Sequence, residues 1–138
     1  MKHTHISALL AALLLPVALA HDTVSHGRVK AEFHTDALGS GREGLRTGDD
    51  TLVGVTLKVS DRPLAPDACR CQLLLYPGQP SARVRPEVIS LSPRGAGLEG
   101  WVKVSAPGAY TLVLAGKPTA PGAFDAFRLE FPVMAGQP

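Results

Sequence analysis

Three histidines and two cysteines are the residues whose type and spacing suit chemistry beyond packing. In "VALAHDTVSH" (residues 17–26) the small-x-small triplet Ala18-Leu19-Ala20 precedes His21. Such a triplet after an apolar run predicts signal-peptidase cleavage between Ala20 and His21. Cleavage there would give His21 a free α-amine beside its imidazole, and the two together can chelate one metal ion. A second imidazole, from His26 or His34, and an oxygen from Asp22 would complete a set suited to Cu(II), which favours tetragonal nitrogen and oxygen ligation. The α-amine has an ordinary pKa of about 8, so a metal displaces its proton near neutrality. The plainer alternatives are a histidine left at the head of a disordered tail and, for His34, a solvated side chain on the polar face of a strand.

Both cysteines fall in one Cys-x-Cys, "DACRCQ", as Cys69 and Cys71. Exported proteins normally pair their cysteines, yet residues two apart in a strand sit near the upper limit of Cα separation for a disulfide. Three readings follow. The pair closes a small ring that is easily reduced and redox-active; or the thiolates bind a soft ion such as Cu(I); or both are buried apolar residues, inert and reduced. Arg70 between them favours thiolates only where the sulfurs are exposed.

Other chemistry finds no support. The chain has no nucleophile elbow, HExxH or phosphate loop. Every histidine after residue 20 lies in one arm, so a Ser-His-Asp site has no base to offer. Carboxylates such as Glu32, Glu99, Asp125 and Glu130 alternate with apolar residues, as the wet faces of strands do. The expectation is a protein that is not an enzyme. Its 14 basic and 12 acidic residues are scattered, so neither nucleic acid nor an anionic membrane is indicated as a partner.

Positioning these groups is the task of a β-rich chain. Residues 1–20 read as a secretory signal: Lys2 with His3 and His5, then the apolar "ALLAALLLPVAL", too short to cross a bilayer comfortably. No Cys follows the cleavage point, so no lipoprotein anchor is predicted. The expected product is a periplasmic or secreted protein of one domain, residues 21–138, with no integral membrane span. Along it, Pro and Gly punctuate segments of alternating hydrophobicity, the signature of strands. Val29, Ala31 and Phe33 share a face, as do Val53, Val55, Leu57 and Val59. Cys69, Cys71, Leu73 and Leu75 form a third set. "EVISL" is a short candidate. Leu98, Val102 and Val104 align with Trp101 opposite; Tyr110, Leu112 and Leu114 follow, then Phe127, Leu129, Phe131 and Val133. About seven strands of this kind predict an all-β, antiparallel, immunoglobulin-like sandwich. Asp36 to Asp50 reads as a long polar connection, and Tyr76 to Pro86, broken by prolines, as a crossing between sheets. In "SAPGAYTL" a Pro-Gly turn precedes Tyr110, which suits either a tyrosine corner or an ordinary core tyrosine. Trp101 is either an exposed binding anchor or, with the faces reversed, a core residue.

The segment "RTGDDTLVGVTLKVSDRPLAP" resembles the small exported YtkA-like domains, in which a Gly and a polar pair lead a "TL" into an alternating strand ending in Asp. "GLEGWVKVSAPGAYTLVLAG" followed by "FRLEFPV" is similar to the closing hairpin of that family. The likeness runs from Gly48 to Val133. It departs at "SDRPLAP", where the family often carries a Gly in the turn. The resemblance implies a sandwich of the kind that also hosts CopC-type copper-binding proteins, whose mature chains begin with His. Those proteins draw another His from a distant loop, and nothing after His34 offers one here. The resemblance therefore carries over only to His21. Together these readings predict a non-catalytic binding protein whose partner is a metal ion, with copper the candidate, or an envelope protein. A structural or interaction module without metal, and a thiol-redox role for the Cys-x-Cys, are the alternatives.

Overall fold

The structure, a computed structural model, describes residues 22–36 and 44–136. Residues 1–21 lie outside it, and with them the signal segment, its cleavage point and His21. Eleven strands run in order: β1 (Asp22–His26), β2 (Val29–Asp36), β3 (Leu45–Arg46), β4 (Thr51–Val59), β5 (Arg62–Pro63), β6 (Cys69–Pro77), β7 (Glu87–Ile89), β8 (Ser92–Arg94), β9 (Gly97–Val102), β10 (Gly108–Pro118) and β11 (Phe127–Gly136). A 3₁₀ turn, Pro66–Ala68, precedes β6.

The strands form two sheets. One has the order β1-β2-β4-β9-β8, with β5 also on β4; the other has the order β3-β11-β10-β6-β7. The series β2-β4-β9-β8 against β3-β11-β10-β6-β7 is the A-B-E-D and A′-G-F-C-C′ arrangement of immunoglobulin-type sandwiches. The two inner faces meet in one core. Phe33 of β2 is wholly buried and stacks on Phe131 of β11, with ring centroids 4.7 Å apart and planes 6° from parallel. Around this pair lie Val53, Val55, Leu73, Leu112, Leu114 and Leu129, the inward members of the alternations.

Three details differ from the sequence expectation. The sandwich is mixed rather than purely antiparallel, because β3 runs parallel to β11 and Thr47 bridges Val104 in parallel. The prolines after Tyr76 do not carry the chain between sheets: β6 and β7 are neighbours in one sheet. The crossing falls instead within "EVISL", where β7 pairs with β6 while β8, two residues further on, pairs with β9 in the other sheet. Two residues of extended chain suffice to step across a sandwich edge. A third difference is β1, a strand where a tail was one expectation.

Local turn chemistry secures the frame. Tyr110 makes the tyrosine corner: its hydroxyl donates to the Ala106 carbonyl at 2.7 Å, four residues upstream. Tyr110→Phe keeps the ring and removes that bond, so a loss of about 1 kcal/mol is expected in urea unfolding. Ser60 and Asp61 form the two-residue turn between β4 and β5, with φ of 48° and 62°. Both residues with positive φ mark a type I′ turn. The Asp61 carboxylate meets Lys30 Nζ at 2.9 Å. The hydrogen bond and charge of Lys30 hold the Asp61 carboxyl below its ordinary pKa.

Candidate functional site

The histidine arm is a β-hairpin. β1 and β2 pair antiparallel from Asp22↔Phe33 to His26↔Val29, joined by Gly27 and Arg28. Gly27 has φ of 57°, the left-handed conformation that this tight turn requires. The register separates the histidines. His26 stands at the turn, and His34 lies five residues beyond Val29 along β2, about 17 Å away at ~3.3 Å per residue. No single ion spans that distance with two imidazoles, so His26 and His34 are not ligands of one site. His34 instead directly follows Phe33, the residue paired with Asp22, where the chain enters the sheet.

His34 is exposed on the outer face of its sheet, as a polar position of the alternation should be. Its cross-strand neighbour on β4 is Gly54, and Gly54 in turn faces Glu99 on β9. The row His34–Gly54–Glu99 thus crosses three strands with a gap at its centre. The imidazole lies over that gap: a Cβ placed on Gly54 would come 2.8 Å from His34 Cε1. Two strand spacings put the backbones of His34 and Glu99 about 10 Å apart. An imidazole and a carboxylate reaching inward from that separation can meet on one ion above the glycine. The groove there, about 310 Å³, is lined by His34, Gly54, Thr56, Arg94, Gly97 and Glu99. Arg94 Nη1 lies 3.5 Å from Glu99 Oε1, an ion pair across the far wall.

Glu99 was one more wet-face carboxylate in the sequence. A signal was present in Gly54, since a glycine inside an alternating strand often marks close approach by another group. Among the described residues, no three His, Cys, Asp or Glu side chains converge as a metal cluster. His21 lies outside the described residues, and Asp22 opens β1.

Cys69 and Cys71 are joined in a disulfide, with Cα atoms 5.3 Å apart. Of the three readings of the pair this is the closed ring, with Cys69 buried against the core at 9% exposure. Neither sulfur is a thiolate in this state. Ligation of Cu(I) by the pair therefore requires prior reduction. Trp101 is 52% exposed, with Val102 behind it in the core, so its ring faces outward.

No family model matches the chain, and no curated protein sequence matches it. Solved structures do resemble it. A DUF4426 family protein from Pseudomonas aeruginosa superimposes with a TM-score of 0.54 at 9% identity, covering 83% of this chain and 94% of that one. A copper-bound variant of FetP from uropathogenic Escherichia coli gives a TM-score of 0.50 at 8% identity, again covering 83% of this chain and 94% of the other. At such identities the likeness is one of fold. Among the described residues, no helix is long and apolar enough to cross a membrane.

Proposed function

We propose that this is an exported, non-catalytic copper-binding protein of the cell envelope. Signal cleavage after Ala20 frees the His21 α-amine. That amine and the His21 imidazole take Cu(II) together with the His34 imidazole. The observation that carries this reading is the hairpin register, which brings the chain into the sheet beside His34 and leaves His26 at the far end. Nitrogen donors suit Cu(II). The YtkA-like pattern and the copper-bound state of a protein with this fold support the same choice.

The test is a Cu(II) titration of the processed protein. His34→Ala is expected to weaken binding by about tenfold or more, as is an acetylated N-terminus, whereas His26→Ala changes it by less than about twofold. Equal losses from His26→Ala and His34→Ala, or tight binding with the terminus blocked, would overturn the assignment.

A second reading has its own observation. Trp101 and Val88, the latter 58% exposed, line one groove of about 370 Å³ with Glu87 and Glu99. Exposed aromatic anchors beside a sheet edge are features of interaction modules. On this reading Trp101→Ala removes partner binding, and the processed protein takes up no copper.

A further inference from the structure

Structural disulfides tie together parts of a chain that would otherwise separate, and their stabilisation grows with the length of loop they close. The Cys69–Cys71 bond ties nothing of the kind. Both sulfurs belong to β6, two residues apart. β6 is already held along its whole length by β10, from Cys69↔Pro118 to Tyr110↔Pro77, and over Leu73–Leu75 by β7 on its other side. Its entrance is pinned separately. Thr119 donates its backbone N–H to the Ala68 carbonyl at 3.0 Å and its hydroxyl to the Asp67 carbonyl at 2.7 Å. Opening the disulfide would leave every one of these bonds in place.

The two sulfurs also stand in different surroundings. Cys69 is packed into the core beside Phe127, and Gly116 leaves the room it needs: a Cβ there would lie 2.8 Å from Cys69 Sγ. Cys71 is only partly buried. The residue paired with it on β10 is that same Gly116, and the space over Gly116 is taken by the Phe127 ring and Cys69 Sγ, so Cys71 is the sulfur nearer to solvent.

We infer that this disulfide is a thiol–disulfide exchange site through which the folded protein accepts an electron pair from a dithiol, such as two cysteines of another protein. The partner's thiolate attacks Cys71 Sγ. A mixed disulfide forms, the Cys69–Cys71 bond breaks, and its electron pair leaves on Cys69 Sγ, which takes a proton from solvent. The partner's second thiol loses its proton to solvent, attacks the partner sulfur of the mixed disulfide and expels Cys71 as a thiolate, which takes a proton from solvent in turn. The partner ends as a disulfide and this protein as a dithiol, two electrons and two protons richer. The site acts once per oxidised molecule and does not depend on the copper reading.

The experiment uses the oxidised, metal-free mature protein with dithiothreitol as the probe dithiol and no denaturant. Thiols are trapped by alkylation and counted by mass. Both cysteines are expected to become alkylated while the protein keeps a cooperative melting transition close to that of the oxidised form. Thiols that appear only after guanidinium unfolding, or a fold that melts on reduction, would overturn the proposal. Point of attack is read from two variants treated with oxidised glutathione. Cys69→Ser leaves Cys71 free and is expected to form the mixed disulfide about tenfold faster than Cys71→Ser, whose remaining thiol is buried. Equal rates, or the reverse order, would overturn attack at Cys71. Should either variant fail to fold, the alkylation of the unaltered protein decides the matter.

Discussion

Phe33→Ala should lower the stability of the domain by about 3–5 kcal/mol in urea unfolding, the range for deleting a wholly buried aromatic ring. Phe33 carries more than its own burial. It belongs to β2 and stacks on Phe131 of β11, so the pair links the two sheets. Truncation opens a cavity between the sheets that neither strand can close, because each is fixed by a long ladder. β2 pairs with β4 from Val29 to Asp36, and β11 pairs with β10 from Phe127 to Ala135. A double-mutant cycle with Phe131→Ala should return a coupling of about 0.5–1.5 kcal/mol beyond the separate burial terms. A loss below about 1 kcal/mol for Phe33→Ala would show that the sheets do not meet at this stack. The same substitution loosens the strand that presents His34, the next residue along.

Gly54→Val should abolish most copper binding while leaving the sandwich folded. Valine suits a central strand, so the backbone accepts it. The space above position 54 is what changes, since the new Cβ occupies the volume where the His34 imidazole lies. The imidazole is the mobile end of its side chain and swings away, leaving His34 present and misplaced. Affinity is expected to fall by about tenfold or more, matching His34→Ala, with a melting temperature within a few degrees of the parent. Unchanged affinity would mean that the imidazole binds copper from a position clear of the glycine, or does not bind it.

The inward faces of the strands were legible because alternation is a local property. Val29, Ala31 and Phe33, then Val53, Val55 and Leu57, then Leu112 and Leu114 are buried as the period of two requires. The tyrosine corner was legible as one of two readings for the same reason: the turn, the Tyr and its acceptor lie within a few residues. The parallel edge of β3 and the change of sheet inside "EVISL" were not. Each depends on which distant strand supplies the hydrogen bonds, and neither leaves a mark on hydrophobic period. Trp101 shows the same division. Its opposition to Val102 was readable, but which of the two faces the core was settled by the pairing of β9 with β4.

The site divides along the same line. From sequence alone come the candidate cleavage point before His21, the three clustered histidines, the Cys-x-Cys and the all-β class. All of these rest on residue types and short spacings. Only the tertiary structure separated His26 from His34, set Glu99 across a bare glycine from His34, and joined Cys69 to Cys71 within a strand already held on both sides. The physical reason is register. Adjacent strands are fixed against each other by ladders of backbone hydrogen bonds between residues far apart in the chain, and the alternation of side chains is compatible with more than one such alignment.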